Sequence, residues 1–158
     1  MKFNKPETKY EEVYGDLIDL ALQGKFDVII HGCNCFHKMG SGLAPKIRAV
    51  FPCAWQADLQ TEFGSKDKLG TISYGIYKGD HSNIYVVNCY SQYKPGKNLD
   101  YDALTFALES VNHTFMGSHI GIPLIGCGIA GGAWGRVKRI IKKELWGCDK
   151  TIVKFVEK

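Results

Sequence analysis

The chain has 158 residues, of which 45% are hydrophobic, and this supplies enough apolar material for one core of ordinary size. We therefore expect a single domain over residues 1–158. Twenty basic and sixteen acidic side chains give a formal net charge of +4, and only three of the basic residues are arginines. Dedicated nucleic-acid-binding proteins usually carry richer arginine patches, so a nucleic-acid partner is not expected.

The N-terminal residues, MKFNKPETKYEEV, lack the apolar segment of a secretory signal peptide. The six cysteines are therefore expected to be reduced thiols, and we expect a soluble, cytoplasmic protein. No window approaches 18 consecutive apolar residues, so the sequence predicts no membrane-spanning helix.

The first strand-like run covers residues 10–14, and a short apolar face predicts a helix near residues 17–21. A second strand-like run covers residues 26–33. Helical patterns follow from about residue 42 to 50 and over residues 53–63. The first of these helices should end near Phe51, because the residue before a proline disfavours the helical conformation.

Residues 71–77 and 84–90 are rich in β-branched and aromatic residues and flank a polar turn, so they predict an antiparallel hairpin. An apolar stripe over residues 104–115 predicts a helix, with Asp100 or Asp102 as its N-cap. A strand over 120–125, a helix over 134–145 and a strand over 151–156 complete the series.

The alternation of strands and helices predicts an α/β protein with a three-layer α/β/α fold and a mixed central sheet. Residues 28–30 and 122–125 are almost entirely apolar, so we expect them to form central strands.

Two glycine-rich loops each follow a predicted strand and precede a predicted helix. The first contains Gly40 and Gly42, and the second contains five of the eighteen glycines within residues 126–135. Such loops expose backbone N–H groups near a helix N-terminus, where the helix dipole favours anions. Two of them at the carboxyl ends of strands suggest a shared diphosphate ligand, with ordinary tight turns as the alternative.

The first loop is not a Walker A loop, because Ala44 and Pro45 stand where that motif has lysine and serine or threonine. Its glycine spacing also differs from the Rossmann fingerprint. The ligand class is thus not set by either of these two common nucleotide motifs.

With these loops identified, the chain resembles the macro domain family of ADP-ribose-binding proteins. The segments that carry the resemblance are residues 15–17, 30–34, 39–44 and 125–134. Within the family the chain is similar to small single-domain ADP-ribose 1''-phosphate phosphatases and terminal ADP-ribose glycohydrolases. The resemblance implies a small-molecule ADP-ribose ligand, no cofactor, no metal, no membrane partner and a monomeric state.

The resemblance also implies residue roles. Asp16, between Gly15 and Leu17, would accept a hydrogen bond from the adenine amino group, and Gly32, Cys33 and Asn34 would lie along the ribose distal to adenine. The remaining binding residues would surround the phosphates: Met39, Gly40, Ser41, Gly42, Leu43 and Ala44 in the first loop, and Ile125, Gly126, Cys127, Gly128, Ile129, Ala130 and Gly131 in the second. A helix cap at Asp16 and a simple turn at Asn34 are the structural alternatives.

The chain departs from the family near the distal ribose. Many relatives carry an acidic residue in the second loop, where this chain has only alanine and glycine over residues 130–133. Relatives that release ADP-ribose from glutamate use a lysine where Tyr90 stands here, so a lysine adduct is disfavoured. The catalytic candidates are Asn34 and His37, followed by His31 and Asn88. His37 is of the side-chain type that suits acid or base catalysis at neutral pH.

Two other interpretations, a zinc site and a functional basic surface, carry less weight. His31, Cys33, Cys35 and His37 alternate in a way that zinc could accept, but the chain has no CxxC pair. Basic residues cluster over 136–143, which is typical of a solvated helix face and could add positive field to an anion site or contact RNA weakly.

The expected activity is therefore removal of the phosphate from ADP-ribose 1''-phosphate. The alternatives are hydrolysis of ADP-ribose from modified macromolecules or NAD-derived metabolites, and a non-catalytic reader or sequestering module.

Overall fold

The computed structural model describes residues 6–156. The strands in this range are β1 (Tyr10–Gly15), β2 (Val28–Cys33), β3 (Ile72–Lys78), β4 (Asn83–Tyr90), β5 (His119–Ile122) and β6 (Asp149–Phe155). The α-helices are α1 (Leu17–Leu22), α2 (Ala44–Val50), α3 (Pro52–Leu59), α4 (Tyr101–Thr114) and α5 (Trp134–Glu144). A short 3-10 helix covers Lys66–Lys68.

The strands form one mixed sheet in the order β1, β6, β5, β2, β4, β3. Neighbours from β1 to β4 are parallel, and β3 pairs antiparallel with β4 as the predicted hairpin. Alternate side chains of a strand face opposite sides of a sheet. Val28 and Ile30 accordingly pack in the core beneath α4 and α5, while Ile29 packs beneath α1, α2 and α3. The predicted α/β/α fold with a mixed sheet is confirmed.

Strand β5 is shorter than the strand predicted over residues 120–125. It ends at Ile122, because Pro123 has no N–H to donate to the sheet. The Ile125 N–H instead donates to the Pro123 carbonyl at 2.6 Å, so the chain turns before the second glycine-rich loop. That turn moves residues 124–125 out of the sheet and to its edge.

The helix predicted over residues 53–63 also ends early, at Leu59. The Thr61 hydroxyl donates to the Asp58 carbonyl at 2.6 Å, and Gly64 has a φ of +71°, which helical backbone does not allow. Helix α4 begins as predicted, with the Asp100 carboxylate accepting a hydrogen bond from the Ala103 N–H at 3.0 Å.

The parallel strands β1, β6, β5, β2 and β4 all end at the same edge of the sheet. Both glycine-rich loops begin there, the first after β2 and the second after β5. Ligands of open α/β sheets bind at such an edge. All six cysteines are free. Between residues 6 and 156, every helix falls short of the length and apolarity that crossing a lipid bilayer requires.

Candidate functional site

Two adjoining cavities open at the carboxyl edge of the sheet, with volumes of about 190 and 460 Å³. We call the smaller one the β2 cavity and the larger one the β6 cavity, after the strands at their floors. Both are lined by the same five residues, which are Gly42, Leu43, Pro123, Leu124 and Gly128. The two cavities therefore form one continuous groove that passes between the two glycine-rich loops.

The β6 cavity has a mainly apolar wall with one acidic and one basic side chain. Its further lining residues are Gly15, Asp16, Leu17, Lys46, Val153 and Phe155. The Phe155 ring is 63% exposed, and Lys46 Nζ lies 5.4 Å from its centroid. An exposed ring beside a carboxylate suits a flat heteroaromatic group that carries an amino donor.

Asp16 has the local role that its position before α1 suggested. Its Oδ1 atom accepts a hydrogen bond from the Asp19 N–H at 3.0 Å and caps the helix. This cap uses one carboxylate oxygen, so Oδ2 remains available to a ligand in the β6 cavity. Capping and ligand recognition are thus compatible at this residue.

The β2 cavity lies over the end of strand β2 and has one charged side chain in its lining, that of Lys38. Its further lining residues are His31, Gly32, Asn34, Lys38, Ser41, Ala44, Gln92, Pro95, Gly96, Ile125, Gly126, Ile129 and Ala130. No carboxylate stands among them. The cavity therefore presents polar groups and positive charge, which favour an anionic or hydroxyl-rich ligand.

The glycines around the groove differ in whether the fold itself would tolerate a side chain at their positions. Gly126 has a φ of +72°, and a Cβ there would lie 2.8 Å from Leu99 Cδ1, so the protein itself requires glycine. A Cβ at Gly128 would meet no protein atom within 4 Å, although Gly128 lines both cavities. The fold does not explain glycine at this position, whereas space for a ligand does.

Asn34 lines the β2 cavity, but both ends of its amide hold the local loop. Its Nδ2 donates to the Lys38 carbonyl at 2.8 Å, and its Oδ1 accepts from the Phe36 N–H at 2.9 Å. Asn34 is thus a turn residue in the free protein, as the structural alternative stated. Any contact to a ligand would use the remaining capacity of that amide.

His37 lies outside both cavities. Its Nε2 atom is 2.9 Å from the Thr61 carbonyl oxygen, and its ring packs against Phe63 with centroids 5.5 Å apart. Its φ of +53° turns the chain back toward Lys38 and directs the imidazole to the α3 side. The structure therefore does not bring His37 to the groove with Asn34.

Several other residues of the sequence-derived set lie outside the lining of both cavities; they are Cys33, Met39, Gly40, Cys127 and Gly131. Cys33 and Met39 are buried in a small core cluster with Tyr90. Burial raises the pKa of the Cys127 thiol, which lies 3.4 Å from the Ile125 carbonyl oxygen. Gly40 and Gly131, in contrast, are exposed on the surface of the loops.

Sequence reasoning missed one wall of the β2 cavity, formed by the turn after β4. The Gln92 side chain donates to the Lys94 and Gly96 carbonyls at 2.7 and 3.0 Å and closes this turn on itself. The Pro95-Gly96 pair was the available signal of a tight turn. Lys46, on α2, was missed as well, and so was Phe155, whose place depends on the pairing of β1 with β6.

The basic cluster on α5 is engaged with the protein surface. The Arg136 guanidinium lies 3.7 Å from the centroid of the Tyr101 ring, and Lys138 forms a 2.8 Å ion pair with Glu12. None of these residues lines the groove.

Two of the residues considered as zinc ligands, His31 and Cys33, lie close to each other. The Cys33 sulfur lies 3.5 Å from His31 Nε2. In the part of the chain that the structure describes, no three His, Cys, Asp or Glu side chains are arranged to hold a metal ion.

The comparisons with known proteins agree with this geometry. A macro domain family model matches residues 30–141. A 17.5 kDa protein from the tk-vs intergenic region of Enterobacteria phage T4 is 40% identical over 135 residues, which is 82% of this chain and 85% of that protein.

Solved structures show the same fold. A protein of unknown function from Bacteroides thetaiotaomicron superposes with a TM-score of 0.76 at 23% identity, covering 94% of this chain and 99% of that one. A Trypanosoma brucei macrodomain in complex with ADP-ribose superposes with a TM-score of 0.59 at 18% identity, covering 84% of this chain and 59% of that one. With the family model matching most of its length, the chain belongs to the macro domain family.

Proposed function

We propose that the groove binds ADP-ribose, with adenine in the β6 cavity, the diphosphate between the two glycine-rich loops and the distal ribose in the β2 cavity. The observation that carries this proposal is the shared lining, because a single ligand must pass Gly42 and Gly128 to occupy both cavities. The Trypanosoma brucei macrodomain with bound ADP-ribose supports the ligand class.

The contents of the β6 cavity suit adenine. Asp16 Oδ2 accepts a hydrogen bond from the exocyclic amino group, and the exposed Phe155 ring offers a stacking surface. The Leu17 side chain adds an apolar wall. A hypoxanthine ring, which has a carbonyl in place of the amino group, would face the Asp16 carboxylate with an acceptor and is rejected.

The middle of the groove suits a diphosphate. Gly42 and Gly128 expose backbone to the ligand without side chains, and helix α5 begins at Trp134 with no side-chain cap on its first N–H groups. Uncapped N–H groups and the helix dipole favour negative charge at this end. Lys38 adds a full positive charge on the β2 side.

We propose removal of phosphate from ADP-ribose 1''-phosphate as a second, catalytic function. Lys38 favours it, because a phosphate on the distal ribose enters a cavity whose lining carries this one charge and no carboxylate.

Isothermal titration calorimetry with ADP-ribose, ADP, AMP and inosine diphosphate ribose tests the binding function. We expect ADP-ribose to bind most tightly and the inosine analogue at least tenfold more weakly. Equal weak binding of all four compounds would overturn the proposal.

Incubation with ADP-ribose 1''-phosphate, followed by a phosphate assay, tests the catalytic function, with Lys38→Met as the variant. Phosphate release that depends on Lys38 supports the phosphatase. Tight binding of ADP-ribose without release identifies a non-catalytic reader. A panel of ADP-ribosylated peptides and NAD-derived metabolites distinguishes both from a hydrolase that acts on other derivatives.

A further inference from the structure

Five side chains form a continuous hydrogen-bonded chain from the floor of the β2 cavity to a buried carboxylate. His31 Nε2 lies 2.6 Å from Asn88 Oδ1, and Asn88 Nδ2 donates to Ser73 Oγ at 3.0 Å. Ser73 Oγ lies 2.8 Å from Tyr90 Oη, which donates to Asp58 Oδ1 at 2.7 Å. Four of the five are almost completely buried, and Ser73 is half-buried.

The orientation of the Asn88 amide in this chain is determined by a group that can only accept. The Ala54 carbonyl lies 2.9 Å from one end of the amide, so that end must be the Nδ2 donor. The Oδ1 acceptor therefore faces His31, and a short contact between Oδ1 and Nε2 requires a proton on Nε2. The pair thus fixes which imidazole nitrogen carries hydrogen.

The hydrogen bonds at the Asp58 end of this series have the same donor-to-acceptor direction. The Tyr90 hydroxyl donates to Asp58 Oδ1, and its oxygen is therefore left to accept from Ser73. Ser73 in turn accepts from Asn88. Every donor points toward Asp58, and reversal of any one bond would leave two donors or two acceptors facing each other.

This arrangement leaves His31 Nδ1 as the free acceptor of a neutral ring. Burial lowers the pKa of His31, which keeps the ring neutral at pH 7. Asn88, on the neighbouring strand β4, contacts the Nε2 edge of the imidazole, and His31 itself lines the β2 cavity. The Cys33 sulfur lies 3.8 Å from Nδ1 and is a weak partner.

We propose that the buried chain holds His31 as the Nε2–H tautomer so that Nδ1 accepts a hydrogen bond from a hydroxyl of the distal ribose in the β2 cavity. His31 is then a ligand-binding residue, and Asn88, Ser73, Tyr90 and Asp58 are positioning residues that act through it. This inference rests on the proposed ADP-ribose function, because it names the group that recognises the distal sugar.

Imidazole nitrogen NMR of uniformly ¹⁵N-labelled protein tests the tautomer and the contact separately. In the free protein we expect Nε2 to be protonated and Nδ1 to be unprotonated at pH 7. Saturation with ADP-ribose should shift the Nδ1 resonance, whereas saturation with ADP, which lacks the distal ribose, should leave it in place. A protonated Nδ1 in the free protein overturns the inference directly.

Tyr90→Phe removes one hydroxyl from the chain and keeps the ring in the core. We expect ADP-ribose affinity to fall about three- to tenfold, in line with the loss of one well-aligned hydrogen bond. ADP affinity should stay within twofold of wild type. Tyr77→Phe, on the neighbouring strand β3, is the matched control and should change neither affinity.

A purely structural role predicts a different pattern, in which Tyr90→Phe lowers the melting temperature but changes ADP-ribose and ADP affinity equally; that result overturns the inference. The ADP-ribose and ADP affinities of Asp58→Asn provide an independent check, because this variant retains the shape of the side chain and removes the carboxylate at the end of the hydrogen-bonded series.

If ADP-ribose fails to bind wild-type protein, the proposed function fails and the acceptor role of Nδ1 fails with it. If ADP-ribose binds and Nδ1 does not shift, the inference alone fails.

Discussion

Gly42 and Ile129 meet across the groove, since a Cβ at Gly42 would lie 4.0 Å from Ile129 Cδ1. Each belongs to a different glycine-rich loop, and the Ile129 side chain is 56% exposed at the place where the two cavities join. An exposed isoleucine gains little by packing on the protein itself. Its position indicates that it covers the middle of the groove.

Truncation of the Ile129 side chain should change the rate at which the ligand dissociates. Ile129→Ala is expected to raise the dissociation rate of ADP-ribose at least threefold, because ligand release no longer requires the two loops to separate. Stopped-flow competition with unlabelled ligand measures this rate. Leu59→Ala, at an exposed apolar position on α3, is the control. Unchanged release from Ile129→Ala would show that the side chain does not cover the ligand.

A side chain at Gly128 should block the groove without unfolding the protein. Gly128→Glu places a carboxylate where the diphosphate is proposed to lie, and the new side chain meets no protein atom near its Cβ. We expect ADP-ribose affinity to fall more than a hundredfold and the melting temperature to change little. Phe106→Glu is the control, since it adds a carboxylate at an exposed position on α4 that lies outside the groove lining. Retained affinity in Gly128→Glu would contradict the placement of the diphosphate.

Asp16 allows helix capping and base recognition to be separated. Asn caps helices as well as Asp does, so Asp16→Asn should preserve the free energy of unfolding. It should nevertheless weaken ADP-ribose binding about tenfold, because a charge-assisted hydrogen bond to the adenine amino group is lost. Asp16→Ala should lose the affinity and also about 1 kcal/mol of stability. Calorimetry and urea unfolding of the two variants distinguish these effects; equal affinity of Asp16→Asn and wild type would exclude the adenine contact.

Glu12 should make the protein sensitive to acid. Hydrogen-bonded ion pairs with Lys138 and Lys154, both at 2.8 Å, together with the Tyr10 hydroxyl, lower the pKa of Glu12 to about 2. A carboxylate whose pKa is lower in the folded state stabilises the fold above its unfolded pKa of about 4.5, and this contribution disappears as the pH falls toward 2.

We therefore expect wild type to lose about 1 kcal/mol of unfolding free energy from this group between pH 5 and pH 2, after allowance for screening of a partly exposed pair. Glu12→Gln should lack this component of the pH dependence. Urea unfolding of both proteins across that range measures it, and parallel pH curves would contradict the assignment to Glu12.

The sequence predicted those parts of the groove that depend on local pattern. Gly42 and Gly128 belong to loops whose composition marks them, and Asp16 precedes an apolar helical face. Phe155 could not be assigned in this way, because its place in the β6 cavity results from the register that pairs Gly15 with Phe155. Such pairing of distant strands depends on the whole sheet.

The acid-base candidates also could not be assigned from local sequence pattern. The residue type favours His37 as an acid-base group, but its imidazole contacts Thr61 and lies outside both cavities. His31 was a secondary candidate, and its tautomer depends on partners from α3, β3 and β4. No spacing within the sequence connects Asp58, Ser73 and Asn88 to His31.

The pairing of β1 with β6 also has a consequence for synthesis of the protein. Asp16 and Phe155 are separated by most of the polypeptide, yet both walls of the β6 cavity require the two strands to lie side by side. A ribosome-bound chain that has not yet released β6 possesses both glycine-rich loops but no complete β6 cavity. Nucleotide affinity should therefore arise only after β6 has left the ribosome and paired with β1.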